Sequence, residues 1–150
     1  MKKVLTKLAE ARKIISNTPV KKKGRNDYSK YDYFTPDQVH KLVEDACQEV
    51  GIIALYSITK RETGYEGVLE IVDLESGEQY SFNMSTDMPD IKATNSTQKL
   101  GGMVTYNERY MKMSAFGIVD NNLDPDSQDN RPKQPPKPKP QSKPKEDKKK

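Results

Sequence analysis

Apolar residues recur at helical spacing in three stretches of this chain and alternate with polar ones in three others. Val4, Leu5, Leu8, Ile14 and Ile15 predict a first helix over residues 3–16. Asn17 and Pro19 end it, since proline disfavours helical geometry in the residue before it. Thr35-Pro36-Asp37-Gln38 reads as the start of a second helix. Thr35 caps it, Pro36 suits the first turn and Gln38 completes a capping box. Val39, Leu42, Val43, Ala46 and Val50 then follow at i, i+3, i+4, i+7 and i+11, and Gly51 closes the helix.

Residues 52–61, GVLEIVDL from Gly67 and QYSFNM from Gln79 are rich in β-branched and aromatic side chains. Turn signals at Thr63-Gly64 and Ser76-Gly77 join them into a three-stranded antiparallel meander. Tyr80, Phe82 and Met84 alternate onto one face, predicted to pack on the helices. Residues 85–93, with Pro89, read as a loop. A third helix is predicted over Gln98–Ile118, with Leu100, Met103, Val104, Met111 and Ser114 on one side and Gly117 as its cap. Lys99, Thr105, Glu108, Arg109 and Lys112 spread over the other sides. Gly101 and Gly102 each cost roughly 0.8 to 1 kcal/mol relative to Ala inside a helix. Either another backbone approaches there or the helix starts after them. The fold class is α+β, with the small meander packed against helices.

Composition changes this picture at one end. Hydrophobic residues make up 33% of the 150, below the ~45 to 50% of ordinary globular domains, and the deficit is concentrated at the C-terminus. Residues 131–150 hold nine basic and two acidic side chains and six prolines, a net +7. Such a segment cannot form a core, so a domain over 1–126 and a disordered Lys/Pro-rich tail over 127–150 are expected. Residues 1–26 hold nine basic and one acidic side chain, net +8, and residues 27–130 eight basic and nineteen acidic, net −11. Two basic ends flank an acidic middle, a distribution suited to neutralising phosphates.

Catalytic chemistry finds no residues to carry it. There is no nucleophilic triad, phosphate-binding loop or metal-ligand spacing, so no enzyme activity, cofactor or metal is expected. Cys47 and His40 are single residues of their types; the first reads as core and the second as surface. Asp120, Asp124, Asp126 and Asp129 lack the spacing of a calcium loop and read as an acidic linker. No apolar run approaches the ~18 to 20 residues of a membrane span. Charges interrupt the segment after Lys2 and Lys3, so no signal peptide is expected. A single cysteine excludes an internal disulfide and fits a reducing interior such as a cytoplasm.

What remains is chemistry for single-stranded nucleic acid. Lys21, Lys22, Lys23, Arg25 and Lys30 interleave with Tyr28, Tyr31 and Tyr33, pairing cations for the backbone with rings for unstacked bases. Tyr31, Tyr33 and Phe34 could equally staple the second helix onto the sheet.

The spacing Gln98, Gly101, Gly102, Thr105, Tyr106, Arg109, Tyr110 and then Phe116-Gly117-Ile118 resembles the signature of the ERF (essential recombination function) family, phage and prophage single-strand annealing proteins. A second block, Tyr28-Ser-Lys-Tyr-Asp-Tyr-Phe-Thr-Pro-Asp-Gln-Val, is similar to another segment of that family. Gly102 stands where the family has Ser, and Glu108 where a basic residue is common. The resemblance implies a β-β-β-α core, ATP-independent annealing in recombination, and Lys99, Arg109, Tyr110 and Lys112 as further candidates for DNA contact. It also implies a homo-oligomer, as a ring or filament, with a phage exonuclease or host single-strand binding protein as partner. The alternatives are a strand-protecting protein that does not anneal and a non-catalytic recombination scaffold.

Overall fold

The computed structural model describes residues 1–90 and 95–120; the expected tail and most of the acidic linker lie outside them. Helix α1 (Lys2–Ser16) leads to a short hairpin of β1 (Gly24–Asn26) and β2 (Tyr31–Tyr33). Helix α2 (Pro36–Val50), the antiparallel meander β3 (Ile52–Lys60), β4 (Tyr65–Asp73) and β5 (Gln79–Thr86), and helix α3 (Ser96–Phe116) follow. The architecture is α+β, with two antiparallel sheets and three helices. The hairpin is an element beyond those the sequence pattern predicts; it pairs Gly24 with Tyr33 and Arg25 with Asp32.

The helix ends follow local chemistry. The Gln38 side-chain oxygen accepts from the Thr35 N–H at 3.2 Å, the return half of a capping box. Gly51 and Gly117 cap α2 and α3 at φ 74° and 68°, left-handed backbone that glycine adopts without a Cβ penalty. Asn95 caps α3, its side chain accepting from the Gln98 N–H at 2.8 Å.

Period-2 alternation places Ile52, Ala54, Leu69 and Ile71 on one face of the meander, with Tyr80, Phe82 and Met84 beside them. The helices cover this face with Val4, Leu8, Val39, Val43, Met111 and Phe116, all buried. Each such side chain contributes about 1.5 to 3 kcal/mol on burial. Leu55, on the opposite face, stays half exposed.

Gly67 sets how closely α3 approaches the sheet. A Cβ there would stand 2.0 Å from Asn107 Oδ1 and 2.8 Å from Met111 Sδ. Asn107 is buried and accepts from the Tyr56 hydroxyl at 2.7 Å. Burial, with Glu108 nearby, pushes the Tyr56 phenol up to about 12. Gly101 and Gly102, in contrast, lie inside α3, and a methyl group on either would meet nothing within 4 Å. The helix begins before them, and no other part of the described chain comes within 4 Å of such a methyl group.

The apolar stripe expected on α3 also differs. Leu100 and Ser114 are exposed, whereas Asn107 and Lys112 are buried with Met103, Met111, Met113, Ala115 and Phe116. At the far end of the sheet, the buried Asp73 carboxylate accepts from Lys7 Nζ at 2.5 Å, Ser76 Oγ at 2.6 Å and the Glu75 N–H at 3.1 Å. These donors hold its carboxyl well below the usual carboxylate range, Lys7 contributing most. The turn after β4 is thereby fastened to α1.

Candidate nucleic-acid interface

Three-residue strands are too short to stand alone, and the β1–β2 hairpin is held by side chains from both flanking helices. The first is Gln38, 7% exposed in the first turn of α2. Its amide nitrogen donates to the Lys21 carbonyl at 2.7 Å and its oxygen accepts from the Lys23 N–H at 3.0 Å. One side chain thus pairs with the segment entering β1 as a neighbouring strand would. The second is Asp120, just beyond α3, with its side chain 1% exposed. It accepts from Lys22 Nζ at 2.7 Å and, through its other oxygen, from the Phe34 N–H at 3.2 Å. Lys22 Nζ also lies 5.2 Å from the centre of the Phe34 ring.

Arg109 is the third support. Its guanidinium carbon lies 5.4 Å from the Tyr33 ring centre, 5.7 Å from Tyr106 and 5.1 Å from Tyr110, and Nη1 donates to the Phe34 carbonyl at 3.3 Å. Its Nε is buried without a hydrogen-bond partner. Tyr106 and Tyr110 sit one turn apart on α3, ring centres 4.4 Å apart at 44°, and Tyr31 meets Tyr33 edge-on at 6.2 Å. Burial first, and then the hydrogen bond to Tyr106, raise the Tyr110 phenol above its ordinary range, so it stays protonated at neutral pH.

These rings, with Arg25, Asn26 and Asp27, line an open cleft of about 530 Å³ between the hairpin and α3. Arg25 is half exposed and forms ion pairs with Asp32 at 3.0 Å and Asp27 at 3.7 Å. The cleft therefore combines aromatic faces, two arginines and phenol hydroxyls, with Asp27 the one carboxylate among its lining residues.

The structure brings five of the sequence-predicted residues, Arg25, Tyr31, Tyr33, Arg109 and Tyr110, into this one cleft. Tyr106 and Asn26 belong with them; Tyr106 could have been found from its position one turn before Tyr110, flanking Arg109. Lys21 and Lys23 are exposed on the segment entering β1, while Lys22 is committed to Asp120. Tyr28 and Lys30 lie in the exposed hairpin turn, Lys30 at φ 55°. Lys99 sits in the first turns of α3, half buried, and does not line the cleft. Lys112 is a correction: it is 3% exposed, ion-paired with Glu108 at 2.8 Å one turn away and hydrogen-bonded to His40 Nδ1 at 2.9 Å. A buried, doubly engaged ammonium presents no charge to a passing strand. Cys47 is core, its thiol pushed up to about 12 by burial.

Fold and cleft together define a small α+β domain that offers cations and aromatic faces side by side, from segments some seventy residues apart. The ERF superfamily model matches residues 5–150, and the chain belongs to that superfamily, whose members serve phage recombination and single-strand annealing. No curated protein and no solved structure matches the chain. Among the described residues no helix is long and apolar enough to cross a membrane, and no cluster of three or more His, Cys, Asp or Glu is placed to hold a metal ion.

Proposed function

We propose that the protein binds single-stranded DNA without regard to sequence and anneals complementary strands in phage or prophage recombination, without ATP and without breaking covalent bonds. The observation that carries this reading is the meeting of both ERF-like blocks, Tyr31 and Tyr33 from one and Tyr106, Arg109 and Tyr110 from the other, in a single cleft. Cations beside aromatic faces are what unstacked strands require. Lys21 and Lys23, exposed beside the hairpin, extend the charge available to the backbone. Phosphate contacts position a strand without reading it, which leaves most base edges free to test pairing.

A domain of this size offers a short track, so adjacent subunits of a homo-oligomer supply a continuous one. An annealing assay with complementary oligonucleotides tests the reading. The protein is expected to accelerate pairing in the absence of ATP, and Lys21, Lys23 and Arg25 replaced together by Ala should weaken binding to all sequences alike and flatten its salt dependence. Strand binding without acceleration would leave a protecting protein in place of an annealing one.

A further inference from the structure

We infer that the cleft between the β1–β2 hairpin and α3 receives one unstacked nucleobase of the bound strand, not its phosphate. The inference rests on the single-strand reading above and adds which part of the strand this cleft takes.

The two arginines at the cleft are in part engaged by the protein itself. Arg109 lies among three rings and donates to the Phe34 carbonyl, and Arg25 pairs with Asp32 and Asp27. A phosphate entering here would meet the Asp27 carboxylate, whose side chain is 95% exposed at the rim. Like charges repel, and no lysine lines the cleft to offset them.

The walls favour a flat aromatic guest. Tyr106 remains 56% exposed although it is large and aromatic, with the guanidinium of Arg109 beside its ring. A base laid on that ring covers apolar surface and gains stacking with both ring and guanidinium. The volume, about 530 Å³, lies within the ~300 to 1,000 Å³ of small-molecule sites.

The polar groups within reach explain why any base would serve. Phenol hydroxyls and the Asn26 amide each donate and accept, so every base edge finds a partner. Asn26 Nδ2 and the Tyr31 hydroxyl stand 3.5 Å apart, the outer limit of a hydrogen bond, and exchange that contact for a base at little cost. Lys21, Lys23 and Lys30, exposed on the same hairpin and its approach, are left for the flanking phosphates. One base is parked while its neighbours stay open for pairing, and the parked base is released as the duplex closes.

The test compares oligo-dT with an abasic strand of equal length and charge, each titrated with the full-length protein at several salt concentrations. The abasic strand is expected to bind about tenfold more weakly, with the same salt slope because the phosphates are unchanged. Tyr106→Ala should bring oligo-dT binding down towards the abasic value, and Tyr106→Phe, which keeps the ring, should preserve the difference. Equal affinity for both strands overturns the parked base and leaves strand binding intact. No binding to either strand overturns the single-strand reading itself.

Discussion

Asp120 and Lys22, ninety-eight positions apart, meet with Nζ 2.7 Å from Oδ1. The same carboxylate takes the Phe34 N–H, so the residue just past α3 fastens both the entry and the exit of the hairpin. Asp120→Ala would leave a buried N–H and an ammonium without their acceptor, costing on the order of 2 to 3 kcal/mol. Asp120→Asn keeps an acceptor for Phe34 and should cost less. Urea unfolding at neutral pH measures both; a midpoint unchanged by the alanine variant would refute the anchoring role.

Arg109→Lys retains the charge but loses the planar group that lies among Tyr33, Tyr106 and Tyr110. A fall in stability of about 1 to 2 kcal/mol is expected, with weaker binding of single strands. Thermal melts and strand titrations of this variant should move together. Wild-type affinity in the lysine variant would remove the guanidinium from the site.

Gly67→Ala places a methyl group against Asn107 and Met111, and overpacking of this kind costs about 1 to 3 kcal/mol. Asn107→Ala makes room but leaves the Tyr56 hydroxyl without its acceptor. The double variant should therefore be more stable than the two single losses add up to, a coupling that a double-mutant cycle reads directly. Strict additivity would mean that α3 does not rest on Gly67.

Acid should loosen the end of the sheet fastened by Asp73. Its folded pKa lies below the usual 3.8, so its contribution is complete above that value and is lost as pH falls towards the folded one. Lys7 acts in the opposite range: its raised pKa makes its contribution complete below 10.5 and lost as pH rises past the folded value. The melting temperature of the wild type should drop as pH falls below about 4 more steeply than that of Asp73→Asn. Parallel pH profiles would contradict the linkage.

Ala at Gly101 and Gly102 meets open space in this chain. Each substitution should stabilise α3 by roughly 0.8 to 1 kcal/mol if nothing else packs there. Size-exclusion light scattering of the double variant adds a second readout: a stabilised protein that no longer assembles would identify the two glycines as the point where another subunit's backbone approaches.

The meander and the helix ends were legible because their signals are local. Thr35-Pro36, Gly51 and Gly117 each act within a few residues, and the alternation of Tyr80, Phe82 and Met84 needs no distant partner. The hairpin was hidden for the opposite reason. Its three-residue strands are held by Gln38, Asp120 and Arg109, and the last two come from the other end of the described fold. Lys112 misled because charge predicts exposure, whereas its pairing with Glu108 and His40 lets it lie in the buried stripe. The two blocks that marked the family were each visible in the sequence. That their tyrosines face one another across a cleft follows only from the packing of α3.

Gln38 carries a last consequence. A single side-chain oxygen accepts from the Thr35 N–H at the start of α2 and from the Lys23 N–H at the foot of the hairpin. The hairpin and the helix therefore share one atom as their fastening, and displacing the hairpin removes one of the two backbone donors that hold it. Amide hydrogen exchange at Lys23 and in the first turn of α2 should rise and fall in step, making the helix terminus a reporter of whatever occupies the cleft.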